Sequence, residues 1–122
     1  YSDKHRASWV DRFDTTVDDM FEDYVFPQEN GSHYNCQYAF VGNLYAKGKK
    51  PFSFQASRYS EKELDEKAHN FELVPSDGIY VALDYKQSGI GSNSCGPRLA
   101  EKYQIREEKI EWEISLRFDN KN

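Results

Sequence analysis

Cysteine, methionine and proline are scarce in this chain: two, one and four among 122 residues. The two cysteines, Cys36 and Cys95, lie far apart, unlike the dense cysteine framework of small secreted domains. Both are read as free thiols, with one long-range disulfide as the alternative. Two isolated cysteines and three scattered histidines have no metal-ligand spacing, so no metal site is expected. Positive charge is also in deficit. Lys and Arg number 16 against 21 Asp and Glu, a formal charge of −5, and the basic residues are dispersed. That balance argues against nucleic acid and anionic membrane partners and toward a neutral or small ligand. No apolar run approaches the roughly 20 residues of a membrane-spanning helix. The stretch Tyr1 to Arg6 lacks signal-peptide architecture. There is no internal repeat and no low-complexity linker.

What is present suits one β-rich domain, the number expected at this length. From Ile110 to Phe118 the apolar residues Ile110, Trp112, Ile114, Leu116 and Phe118 alternate with Glu111, Glu113, Ser115 and Arg117. A period of two predicts a half-buried antiparallel strand. Ile79 to Tyr85 predicts a more buried one, and Phe52-Ser53-Phe54 is a further short alternating run. Asn30-Gly31 is a strong tight-turn signal, so Tyr24 to Phe26 is expected to pair with His33 to Val41 as a hairpin. Trp9 to Phe13 is a weaker strand candidate, and Thr16 to Phe21 suits a short helical turn. One helix is expected after Ser60, which forms a capping-box pattern with Glu63. In that helix Leu64 and Ala68 would share a face, Glu63 and Lys67 would pair, and the charges from Glu61 to Lys67 would face solvent. His69 would then meet the helix carboxy-terminal dipole. Many short strands, regular turns and one small helix together suggest an all-β antiparallel β-sandwich.

The segment with the greatest functional promise runs from Asp84 to Pro97, Asp-Tyr-Lys-Gln-Ser-Gly-Ile-Gly-Ser-Asn-Ser-Cys-Gly-Pro. Its glycines permit backbone conformations other residues resist, and Ser92, Asn93 and Ser94 bring short hydrogen-bonding groups to an exposed loop. The alternative is a surface connection with ordinary turn chemistry. Arg58 is expected to hold a carboxylate or carbonyl beneath the Ser60 cap, although Arg58 and Tyr59 could also form a sugar-contacting pair. Nine tyrosines and 16% aromatic residues suit both a sugar-binding surface and sandwich packing.

Taken with Tyr24-Val25-Phe26-Pro27-Gln28-Glu29-Asn30-Gly31 and with Phe52-Ser53-Phe54-Gln55-Ala56-Ser57-Arg58-Tyr59-Ser60 followed by Leu64 and His69, that loop resembles the carboxy-terminal, small-chain domain of the bacterial β-galactosidases of glycoside hydrolase family 2. The likeness runs in order from Tyr1 to about Phe118. It implies part of a galactose-mutarotase-like super-sandwich longer than this chain, and hence a fragment of a larger β-galactosidase. The family's Gly-x-Gly-Pro-x-Glu run before the position of Tyr1 is missing here.

The resemblance further implies that the intact enzyme hydrolyses terminal β-galactosides such as lactose. Retaining glycosidases need two carboxyl groups about 5 to 5.5 Å apart, and in this family both glutamates belong to a separate (β/α)8 barrel. No catalytic residue is therefore expected here. The candidate substrate-binding residues are Asn93, Ser94 and Cys95, on a loop that would reach the sugar pocket. Some relatives carry at the position of Cys95 a tryptophan on which sugars stack, a contact cysteine is too small to supply. The alternative for Cys95 is a small buried anchor of the loop.

Other implications concern the whole enzyme. No cofactor is expected in this chain, with Mg2+ and Na+ held mainly by other domains. The partners would be those remaining domains or a large subunit, and further copies of the enzyme in a homo-oligomer, in the cytoplasm. Two other functions remain open from sequence. One is a free-standing carbohydrate-binding module using exposed tyrosines with Trp9 or Trp112. The other is a compact hydrolase built on Glu29, whose place at a predicted turn has an equally good structural explanation.

Overall fold

The computed structural model describes residues 10–21, 31–88 and 97–120. Its core architecture is an antiparallel four-stranded sheet with one short helix, in keeping with the expected all-β sandwich-like class. The strands are β1 (His33–Val41), β2 (Leu44–Ser57), β3 (Tyr80–Asp84) and β4 (Ile114–Phe118), and the helix is α1 (Glu61–Glu66). β2 organises the sheet. β1 pairs along one side of it, while on the other side β4 takes Leu44 to Gly48 and β3 takes Ser53 to Ser57.

β2 owes this role to its alternation. Ala46, Phe52, Phe54 and Ala56 all face one way, are nearly fully buried and form the core. Val81 and Leu83 from β3, Ala39 and Val41 from β1, Ile114 from β4, and Val17, Met20 and Trp112 pack against them. Withdrawing a phenylalanine side chain such as Phe52 from water contributes about 1.5–3 kcal/mol, so two phenylalanines on one strand dominate a core this small.

The tight turn of the sheet is Gly42-Asn43, which joins β1 to β2 through the Val41↔Leu44 pair. Gly42 has φ +59°, the positive value that a two-residue hairpin turn requires at its first central position and that glycine adopts without strain. The hairpin expected between Tyr24 to Phe26 and His33 to Val41 involves residues 22–30, which lie outside the described residues. Gly31, the second half of that turn signal, does have a positive φ of +64°.

β1 is irregular. Its register shifts between His33 and Cys36, where Asn35 takes φ +56°, and again between Cys36 and Tyr38, opposite the stretch that includes Lys49, Lys50 and Pro51. Asparagine tolerates this left-handed conformation better than most residues, and such bulges bend a strand and redirect its side chains.

Several expectations are corrected. Val10 to Phe13 form no strand. Val10 is fully exposed, and Asp11 accepts a hydrogen bond from the Arg12 backbone N–H at 2.7 Å, a local bond that competes with ladder formation. The Thr16 to Phe21 turn is present as a 3-10 turn over Asp18–Met20, secured by Thr16, whose Oγ1 accepts from the Asp19 N–H at 3.1 Å and donates to the Asp19 carboxylate at 2.7 Å. β3 spans most of Ile79 to Tyr85 and is more buried than β4. β4 begins at Ile114 rather than Ile110, because its ladder with β2 ends at the Gly48↔Ile114 pair, next to the irregular stretch of β2. It is also less buried than expected, with Leu116 52% and Phe118 63% exposed.

In α1 the Ser60 Oγ accepts from the Glu63 N–H at 3.0 Å, but Glu63 accepts from the Val74 N–H instead of returning to Ser60. The helix ends at Glu66, and Lys67 is extended. The expected Leu64/Ala68 and Glu63/Lys67 pairs therefore do not form. Lys62 and Glu66 make the i,i+4 ion pair at 3.7 Å, and Leu64 is the buried residue of the helix. His69 does not serve the end of α1. It precedes a 3-10 turn over Asn70–Glu72 and gives its backbone N–H to Glu72 Oε2 at 2.9 Å.

Candidate functional site

β3 delivers the chain into the loop singled out by sequence, and the structure describes its stem from Asp84 to Ser88. Tyr85 and Lys86 converge on Glu107. The Tyr85 hydroxyl donates to Glu107 Oε1 at 3.2 Å, and Lys86 Nζ forms an ion pair with the same oxygen. Glu107 Oε2 accepts from the Arg106 backbone N–H at 3.1 Å. Donation from Lys86, then from the backbone, holds the Glu107 carboxyl down to about 2. Hydrogen bonds to the charged form are what lower a carboxyl pKa in this way.

The next residue is tied in another direction. Gln87 Oε1 accepts from the Ser32 hydroxyl at 2.9 Å, and Ser32 is only 2% exposed just ahead of β1. Three successive side chains thus anchor the loop stem to two separate parts of the chain. Glu107 and Ser32 were not legible as site residues. Glu107 sits in the charge run Arg106-Glu107-Glu108-Lys109, and nothing in its spacing points across to Lys86.

Beside the stem, residues of α1, β2, β3 and the stem itself line a cleft of about 540 Å³, among them Gln55, Glu61, Lys62, Leu64, Asp65, Asp84 and Gln87. Burial first, and the neighbouring Glu61 charge second, push the Asp84 carboxyl up, against the hydrogen bond from Gln87. The cleft thus presents carboxylates, side-chain amides and the Lys62 ammonium, groups that hydrogen-bond hydroxyls. Among the described residues no set of three or more His, Cys, Asp or Glu is arranged to hold a metal ion.

Asn93, Ser94 and Cys95 fall within residues 89–96, outside the described residues, as do Glu29 and Trp9. Cys36 is a free thiol, and burial pushes its pKa up. Arg58 holds a carboxylate as expected: its Nε donates to Asp18 Oδ1 at 2.7 Å, tying the end of β2 to the Asp18–Met20 turn. Tyr59 packs on Phe21, with ring centroids 5.0 Å apart. Among the described residues no helix is long and apolar enough to cross a membrane.

Comparison with known proteins agrees with these features. Residues 1–118 match the family model described as beta galactosidase small chain. A beta-galactosidase of Actinobacillus pleuropneumoniae is 46% identical over 119 residues, covering 98% of this chain and 12% of that protein. One from Staphylococcus xylosus is 41% identical over 97% of this chain, again 12% of its own length. A beta-galactosidase of Kluyveromyces lactis is 32% identical over 98% of this chain. The chain therefore spans about an eighth of the length of these relatives, and the match runs through both the sheet and the loop stem. On that continuous match, this chain belongs to the beta galactosidase small chain family.

Proposed function

We propose that this chain is the carboxy-terminal part of the last domain of a β-galactosidase that hydrolyses terminal β-D-galactose residues, with lactose as a representative substrate. The observation that carries the reading is the family match over residues 1–118, joined to relatives named beta-galactosidase of which the chain covers only 12%. The catalytic carboxylates would be supplied by the rest of the enzyme. This part would complete the sugar pocket through the loop after β3 and support assembly. The anchored stem of that loop supports the assignment, since a loop that orients polar groups toward a sugar must be held at its base.

Asn93 and Ser94 would supply an amide and a hydroxyl to sugar hydroxyls, and Cys95 a small contact where bulkier relatives stack an aromatic ring. Mg2+ and Na+ are assigned to the other domains, and no step here is routed through them. The intact enzyme would be a cytoplasmic homo-oligomer.

The test is hydrolysis of a chromogenic β-galactoside by the isolated chain and by the intact gene product or subunit pair. Activity is expected only when the remainder is present. Turnover by the isolated chain, abolished by Glu29→Gln, would replace this reading with a compact hydrolase.

A further inference from the structure

On the sheet face opposite the core, the hairpin end of β1 and β2 carries an aromatic cluster that no residue described here covers. Register fixes its layout. Phe40, Tyr45 and Arg117 stand side by side across β1, β2 and β4, and Tyr38, Lys47 and Ser115 form the adjoining row. Residues directly opposite in an antiparallel ladder project from the same face. The Tyr38 and Phe40 rings lie 5.9 Å apart at 74°, Phe40 and Tyr45 lie 4.6 Å apart at 35°, and the Arg117 guanidinium sits 5.2 Å over the Tyr45 ring. Tyr38 is 44% and Phe40 61% exposed.

From this geometry we infer that the Tyr38-Phe40-Tyr45-Arg117 face is a protein docking surface, occupied by another domain of the same β-galactosidase through an apolar patch bordered by carboxylates. The inference rests on the reading of the chain as one part of that larger enzyme. Three observations favour this occupant. The rings are mutually tilted, so they form no flat platform for a pyranose, whereas Tyr, Phe and Arg in contact are the composition of protein interface centres. The rim carries Lys47 in a chain of net charge −5: Lys47 and Arg117 flank the rings, and since Arg117 is ion-paired with Asp119 at 3.0 Å, Lys47 supplies the positive charge that a partner carboxylate would meet. Finally, the relatives contain far more polypeptide than this chain covers, enough to furnish the cover.

A photo-cross-linking phenylalanine analogue placed at Phe40, and separately at Tyr38, in the intact enzyme tests the surface. The expected result is cross-linked peptides from domains of the enzyme other than its last one. Cross-links confined to the last domain, residues 1–122 included, to a second copy of it, or to nothing would overturn it. Lys47→Glu in the analogue-bearing protein is expected to lower the cross-link yield several-fold, and an unchanged yield would remove the acidic border from the proposal. Galactoside hydrolysis by the same preparations reads the functional assignment separately. An inactive protein that still cross-links as expected would strike that assignment and keep the surface.

Discussion

Glu107 accepts the hydrogen bonds of both Tyr85 and Lys86, and its role is open to titration. Because its pKa is lowered by folding, the stabilisation it contributes is fully present above its ordinary value of 4.5 and is lost as pH falls toward about 2. Glu107→Gln is therefore expected to melt below the wild type near neutral pH, with the gap closing from pH 4.5 downward. Thermal unfolding at several pH values checks this, and since Lys86 and Glu107 are partly exposed, added salt should narrow the gap. Asp84 has the opposite sign. Its folded pKa is raised above 3.8, so the folded protein binds its proton more tightly than the unfolded chain, and the benefit is lost as pH rises through the folded value. Asp84→Asn, which cannot ionise, is expected to melt above the wild type at neutral pH and to lose that advantage as the medium is acidified. A gap that persists in acid would assign the effect to packing.

Among the elements, α1 depends most on individual side chains. A helix of six residues is too short to persist on propensity, so the Ser60 cap and the buried Leu64 side chain have to hold it. Ser60→Ala is expected to cost about 0.5–2 kcal/mol, with amide exchange in residues 61–66 accelerating more than in β2. Equal acceleration in both would show that helix and sheet open as one unit.

How far such elements were legible varied with the local signal. The Ser60 cap, β3 and the last strand were readable because side-chain chemistry or period-two alternation stood alone. β2 shows in the sequence only as Phe52-Ser53-Phe54, because Lys47, Gly48, Lys49, Lys50 and Pro51 interrupt its alternation, although the interruption is a bulge that leaves both halves in one strand. The Gly42-Asn43 turn carries a signal between two aromatic runs that is weaker than Asn30-Gly31. For the loop after β3, its glycine-rich composition was evident. Its anchors at Glu107 and Ser32 were not, because contacts that join distant stretches leave no periodic trace.

At the scale of the whole molecule, too many apolar side chains lie outside the core for an isolated sheet. Leu116 and Phe118 on one face and Phe40 on the other are each more than half exposed, as are Phe71 and Val74 beyond α1. Exposed apolar area of that extent marks surfaces made for contact. The isolated chain is expected to self-associate as its concentration rises, which size-exclusion chromatography across a dilution series would detect. A monomer at all concentrations would mean that residues outside the described ones already cover these faces.

The sharing of one flank of β2 between β3 and β4 also sets an order of events in time. The β1–β2 hairpin closes across two residues, while Leu44 waits for Phe118 at the far end of the sequence. Long loops close slowly and late. On a ribosome, the hairpin can form well before its last neighbour leaves the exit tunnel, and until then the Leu44 to Gly48 flank of the sheet remains an open edge that chaperones or stray strands can reach.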